Sequence, residues 1–293
     1  MKAAPFEYSR PADIDEACAM LAADDAARVV AGGQTLVPLM AMRLARPSLL
    51  IDIGRLAELA FVRKQNGSVA IGAVTRQSVV ERDPLVAVHV PLLAKVMPWV
   101  GHAATRARGT VGGSLANADP AAEISLVAVT LDAIVGYRDT TQAGEIWASE
   151  FFVGPMTTTL PSRALLYGVL FQVWREERIG VGFHEVSARR SDFAFASAAA
   201  QLALDADGAC SRLAVGVGAV TDYPVRLKRA EQALVGTRLT PASVHSAVAE
   251  AMSDIETASD LNASADYRRR AAATLAVRAI MDAHEDARSS HAH

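Results

Sequence analysis

A chain of 293 residues, 51% hydrophobic and 21% charged, has room for two or three packed units and is too apolar for wholesale disorder. A formal net charge of −3, with Arg268-Arg269-Arg270 as the one dense basic run, argues against a nucleic-acid partner, whose contact face would need clustered Lys and Arg. Cys18 and Cys210 stand outside any CxxC or Cys/His cluster, no apolar run is long enough to span a bilayer and the N-terminus lacks a signal core; the expectation is a cytoplasmic chain without a membrane span, zinc or iron–sulfur centre of its own.

In chain order, Asp13 reads as a helix N-cap with Glu16 three residues on. Ile14, Ala17, Cys18 and Leu21 then keep helical spacing to about Ala23. Ala27 to Ala31 is a short β-branched run that ends at Gly32-Gly33-Gln34-Thr35 and passes into a helical pattern over 36–43. Such a strand, glycine turn and helix offers bare N–H groups to an anion. Leu49 to Ile53 reads as the next strand. Beyond it, Ser68 to Ala73 follows the Asn66-Gly67 turn, and Thr75 is expected to cap a helix over 76–81. Pro91 to Trp99 reads as a helix leading through His102 into a second glycine turn.

That turn, Arg108 to Glu123, contains Thr110, Gly112, Gly113 and Ser114, then Asp119 and Glu123 four residues apart. The expectation is that its glycines expose N–H groups to a phosphate or sugar, and that the two carboxylates share a helical face and accept sugar hydroxyls. Neither turn is a GxGxxG fingerprint and no GK[ST] is present, which excludes a Rossmann dinucleotide site and a P-loop. Residues 124–132 suit a buried helix, while 133–137 and 165–171 suit strands. A boundary is expected near 172–182. The last third pairs strands 196–204 and 210–218 through Asp205-Ala206-Asp207-Gly208, then runs helices over 224–234, from 240 and over 265–282.

His102 reads as a packing or backbone-bonding residue, and Arg189-Arg190 as a solvated or subunit-contact face. His284, His291 and His293 fall in an expected polar tail. No Ser/His/Asp, Cys/His or carboxylate pair is placed for acyl transfer or glycoside chemistry. Binding surfaces without reactive side chains fit a protein whose chemistry belongs to its cofactor.

Two stretches carry a family resemblance: Ala31 to Pro38 and Arg106 to Glu123, supported by Gly182-Phe183-His184-Glu185-Val186, by Arg189 to Ala194 and by Ser264 to Arg268. Across nearly the whole chain the sequence resembles the FAD-binding medium subunits of the molybdenum hydroxylases, the group of carbon monoxide dehydrogenase, quinoline 2-oxidoreductase and xanthine dehydrogenase. The resemblance implies an α+β fold: a two-part FAD-binding fold of the vanillyl-alcohol oxidase/MurB type over 1–55 and 56–176, a C-terminal α+β domain over 177–286 and a flexible tail over 287–293. It implies that Ala31, Gly32, Gly33, Gln34, Thr35 and Leu36 wrap the diphosphate. Thr110, Gly112, Gly113 and Ser114 would hold the phosphate and ribityl region, and Asp119 and Glu123 the sugar hydroxyls. Leu165 and Leu166 would touch flavin or adenine, with His184 and Phe193 near the isoalloxazine. Gln34 stands where many relatives have histidine, His184 where some have lysine, Ala107 where asparagine is common and Ser191 where glycine is common.

The resemblance further implies a large subunit with the molybdopterin cofactor and a small subunit with two [2Fe-2S] clusters, assembled as a dimer of heterotrimers (a heterohexamer), with electrons leaving through this chain's FAD to an external acceptor. A stand-alone FAD oxidase or dehydrogenase of the same fold, and a non-enzymatic assembly subunit, are the alternatives.

Overall fold

The fold, seen in a computed structural model, is described for residues 2–289; His291 and His293 lie outside the described residues. The first unit is built from β1 (Glu7–Ser9), α1 (Ile14–Ala23), β2 (Arg28–Val30), α2 (Leu36–Ala41) and β3 (Leu49–Asp52). Its three strands form a parallel sheet in the order β1-β3-β2. Asp13 caps α1 by accepting the Glu16 N–H at 2.8 Å, as the sequence spacing implies. The helix lays Ala17, Cys18 and Leu21 on Ile51 and Ile53, which buries its apolar stripe.

The second unit contains β4 (Val62–Gln65), β5 (Ser68–Gly72), α3 (Gln77–Val80), α4 (Pro84–His89), α5 (Pro91–Val96), α6 (Ala103–Arg108), α7 (Val111–Asn117), α8 (Glu123–Thr130), β6 (Ile134–Arg138), β7 (Ala143–Trp147), α9 (Ala148–Phe151), β8 (Phe152–Gly154), β9 (Thr157–Thr158) and β10 (Leu165–Gln172). A five-stranded antiparallel sheet, β4-β5-β10-β6-β7, carries it. α8 is apolar all round because it is the centre of the core: Ile124, Leu126, Val127 and Ala128 are each fully buried. At roughly 1.5–3 kcal/mol for each large side chain removed from water, this helix is a principal support of the unit. Thr75 does not cap α3 as expected. Its hydroxyl instead exchanges hydrogen bonds with the backbone of Phe61, and Arg76 is the residue that precedes the helix.

The third unit comprises β11 (Arg178–Ser187), β12 (Ala194–Leu204), β13 (Cys210–Gly218), β14 (Val225–Arg226), α10 (Lys228–Leu234), α11 (Pro241–Ser253) and α12 (Ala265–Ser289). Its antiparallel sheet runs β11-β12-β13-β14. The helix expected over 224–234 therefore starts late, because residues 225 and 226 pair with β13 first. α12 lies directly on β11: a Cβ on Gly180 or Gly182 would fall 2.0 Å from the carbonyl oxygens of Ala283 or Ala279. The same helix continues to Ser289, so 287–289 and His284 are helical rather than tail. Arg268 fastens α12 to the sheet through the Phe195 and Ala219 carbonyls and the Asp260 carboxylate. Arg226 joins this unit to the second by pairing with both Glu231 and Asp132. The mixture of helix with one parallel and two larger antiparallel sheets is an α+β architecture. Among the described residues no helix is long and apolar enough to cross a membrane.

Candidate functional site

A cavity of about 760 Å³ opens where the three units meet. Small-molecule pockets span about 300–1,000 Å³, so this one suits a ligand at the large end of that range. The first wall is the turn between β2 and α2: Ala31, Gly32, Gly33, Gln34, Thr35 and Leu36 all line the cavity. Gly33 has φ +67°, the left-handed region that glycine enters without steric cost. Among the described residues, the N–H groups of Gly33, Gln34, Thr35 and Leu36 meet no protein acceptor, and Thr35 makes no side-chain cap. A row of unpaired N–H groups beside a cavity is a cradle for an anion.

The second wall carries Thr110, Gly112, Gly113, Ser114, Asp119 and Glu123, and all six line the same cavity. The two walls touch. A Cβ on Gly32 would lie 2.5 Å from the Arg108 carbonyl oxygen and 2.9 Å from the Gly109 Cα. The expected chemistry of this second turn is nevertheless corrected. Gly112 N–H donates to the Ala73 carbonyl at 2.9 Å and Gly113 N–H to Thr110 Oγ1 at 3.1 Å, so neither is available to a ligand. Their lack of side chains serves close packing, since a Cβ on Gly112 would sit 2.6 Å from that of Ala73.

Asp119 and Glu123 do not share one helix face either. α7 stops at Asn117 because Ala118 takes a left-handed conformation, and α8 begins only at Glu123. They reach the cavity across the intervening turn, where Asp119 accepts the Ala121 N–H at 2.9 Å. Burial raises the Asp119 carboxyl above its usual range. Burial pushes Glu123 up to about 8, with Glu185 and Asp119 adding repulsion and Arg106 partly opposing it. Arg106 is itself engaged by Glu81 at 2.8 and 3.0 Å and by the carbonyls of Val100 and Gly101. Those bonds hold the stretch 100–102, including the exposed His102, at the cavity edge.

Leu165 and Leu166 reach the cavity from the start of β10 beside the β-bulge at Leu166/Gly168. Phe193, 73% exposed, stands at the rim on the β11–β12 loop with Arg189, Ser191 and Asp192. Ser191 has φ +71°, which explains physically why glycine suits that position.

His184 is the candidate that the structure does not bring to the cavity. Side chains on a strand alternate. Gly180, Gly182 and His184 therefore face α12, where His184 Nε2 meets Asp282 Oδ2 at 2.8 Å. Val181, Phe183 and Glu185 face the other way, and Phe183 packs edge-on against Trp99 with ring centroids 5.6 Å apart. Glu185 on that face escaped sequence reasoning. Counting two residues on from the apolar Phe183 would have found it. Gln77, which lines the cavity at 5% exposure with an unpartnered Oε1, was also missed, and a polar residue in a short helix gives no signal of that kind. No group of three or more His, Cys, Asp or Glu side chains is placed to hold a metal ion among the described residues.

Against known proteins, residues 4–171 match the family model described as FAD binding domain in molybdopterin dehydrogenase. Residues 182–283 match the CO dehydrogenase flavoprotein C-terminal domain. The chain is 34% identical to the nicotine 6-hydroxylase medium subunit of Paenarthrobacter nicotinovorans, over 97% of this chain and 99% of that one. It superposes on a chain of quinoline 2-oxidoreductase from Pseudomonas putida 86 with a TM-score of 0.93, at 34% identity and covering 98% and 99% of the two chains. A chain of carbon monoxide dehydrogenase from Oligotropha carboxidovorans gives a TM-score of 0.94 at 29% identity, covering 98% and 100%.

Proposed function

The chain belongs to the family of FAD-binding domains in molybdopterin dehydrogenases, with the CO dehydrogenase flavoprotein C-terminal domain behind it, and we propose that its cavity is the FAD site of a medium subunit. The chain is the flavoprotein subunit of a multisubunit molybdenum hydroxylase, an oxidoreductase. Molybdenum and [2Fe-2S] centres reside in its partner subunits, and electrons leave through the FAD of this one to an external acceptor. FAD supplies the redox chemistry, accepting and donating electrons one or two at a time.

The observation that carries the reading is the row of four N–H groups at residues 33–36 without acceptors among the described residues, set in a cavity large enough for a dinucleotide. These residues fit a diphosphate: Gly32 and Gly33 leave the backbone bare, and the N–H groups donate to its oxygens. On the opposite wall Ser114, Asp119 and Glu123 bond sugar hydroxyls, while Gly112 and Gly113 let the chain approach. Leu165, Leu166 and Phe193 cover the ring systems and exclude water. In this reading these residues bind and orient the cofactor, and the redox step is the cofactor's own.

The parallel sheet followed by the larger antiparallel sheet supports the vanillyl-alcohol oxidase/MurB arrangement, with FAD-binding halves over 1–55 and 56–176 and the C-terminal domain over 177–286. The assembly we propose is a cytoplasmic dimer of heterotrimers with one large molybdopterin-binding and one small [2Fe-2S] subunit each. Purified chain reconstituted with FAD should show the absorption bands of a bound oxidised flavin after gel filtration. Free FAD eluting entirely apart from the protein would overturn the assignment.

A further inference from the structure

Glu185 is the least satisfied polar side chain near the cavity. Both of its carboxyl oxygens are buried and neither has a hydrogen-bond partner among the described residues. It does not line the cavity itself, but it repels Glu123, which does.

Taking the FAD site as read above, we propose that Glu185 is a positioning residue of that site: with Glu123 it holds a proton at the cavity wall, so that FAD binding draws a proton from solvent.

The charges around the pair decide the direction. On the Glu123 side, the α7–α8 turn contributes Asp119, another carboxylate, and α6 contributes Arg106, which is already engaged by Glu81. Around Glu185, β12 places the neutral Ser197 in register opposite it. α12 presents Asp282 to the other face of β11, on His184, and Asp286 to the Val181 N–H. α5 carries one charged residue, Lys95, and it is exposed. Beyond β11, Arg190 stacks on the Trp99 ring, which packs against Phe183 on the Glu185 face; Glu123 is thus repelled by two carboxylates and attracted by Arg106. Two close buried carboxyls resist ionising together. A ligand whose diphosphate is dianionic strengthens that resistance wherever solvent screening is poor. Burial has already raised Glu185 to about 7 and Glu123 to about 8, so neutral pH is where the linkage should be visible. The balance is simple: apo site, FAD and one solvent proton give the complex with the carboxyl protonated, and no covalent bond between heavy atoms changes.

The test is the dissociation constant of FAD for the full chain, stripped of flavin and followed by flavin fluorescence from pH 6.0 to 8.5. The Kd should rise with pH, approaching about tenfold per unit for one proton taken up. Glu185→Gln, neutral at every pH, removes one of the two titrating carboxyls and should make the dependence on pH measurably shallower, Glu123 keeping the remainder. A residue that merely supports the fold would shift melting temperature and leave the slope alone. A second measurement needs no variant: the heat of FAD binding at pH 7.5 in two buffers of different ionisation enthalpy should report net proton uptake. No uptake, release of a proton, or an unchanged slope in Glu185→Gln would each overturn the proposal while leaving the FAD site standing. Failure to bind FAD at any pH would overturn both.

Discussion

At the first glycine turn, the N–H groups of Gly33, Gln34, Thr35 and Leu36 have no protein acceptor among the described residues. At the second, those of Val111, Gly112, Gly113 and Ser114 are bonded to Thr75 O, Ala73 O, Thr110 Oγ1 and Thr110 O. Both turns pair glycines, both carry a threonine beside them, and both line one cavity. At the second turn Thr110 itself takes the Gly113 and Ser114 donors, and the rest of the difference lies in what runs alongside. The end of β5 passes next to the second turn, so Ala73 and Thr75 supply acceptors there; the first turn abuts Arg108 and Gly109 only edge-on, near Gly32. A glycine pair in a sequence therefore marks a close approach without saying whether the neighbour is a ligand or the protein's own backbone. Here the first turn keeps its donors for a ligand, and the second uses glycine to dock α7 against β5.

The contrast predicts its strongest effect at Gly112. Valine there would put a Cβ 2.6 Å from that of Ala73 and 2.8 Å from its carbonyl oxygen, contacts that backbone on both sides cannot yield. Overpacking of this kind costs typically 1–3 kcal/mol, and Gly112→Val should sit at the upper end, about 3 kcal/mol by denaturant unfolding, with FAD content falling in step. A variant that kept its stability and lost only FAD would show the second turn to be a ligand cradle after all, and the contrast would fail.

The second wall also concentrates charge, which gives the next prediction. Glu123 and Glu185 bind protons more tightly folded than unfolded, at about 8 and about 7 against an ordinary carboxyl value of 4.5. Their stabilising share is complete below pH 4.5 and is lost as pH climbs through 7 and 8. Without FAD, the melting temperature should decline from pH 5 to pH 8.5, and Glu185→Gln should make the decline shallower. Parallel curves for the two proteins would show that Glu185 titrates normally.

How much of this was legible in the chain depended on how local the cause was. The cap at Asp13, the amphipathic α1 and the turn at residues 32–35 rest on neighbouring residues, and reading them needed nothing else. β11 was harder to read because α12 lies so close that only glycine fits at 180 and 182, and glycine blurs the alternation that marks a strand. His184 was expected near the cavity on the family resemblance, whereas the facing of β11 turns it toward Asp282 on α12 and Glu185 to the opposite face. β14 is two residues whose pairing with β13 is entirely tertiary. The occupancy of the Val111 and Gly112 N–H groups was hidden for the same reason: their acceptors, Thr75 and Ala73, are nearly 40 residues away in sequence, just past β5.

The smallest effect is the sharpest probe, because it compares two threonines in matched positions. Thr110 is 2% exposed, and its hydroxyl accepts the Gly113 N–H as the cap of α7. Thr35 is exposed at the start of α2, caps nothing, and its hydroxyl has no partner among the described residues. Valine keeps the shape of threonine and removes the hydroxyl. Thr110→Val should therefore lose about 1 kcal/mol of unfolding free energy, the usual worth of an N-cap, and leave FAD affinity within about twofold. Thr35→Val should leave stability within about 0.5 kcal/mol, as surface changes do, and weaken FAD about fivefold, the loss of one hydrogen bond of about 1 kcal/mol. Measuring both proteins by denaturant unfolding and by FAD titration gives four numbers, and the exchange of the two patterns would place ligand recognition on the second turn and helix capping on the first. Equal losses of affinity at unchanged stability would mean that both hydroxyls face the ligand, which the hydrogen bond from Gly113 N–H to Thr110 Oγ1 argues against.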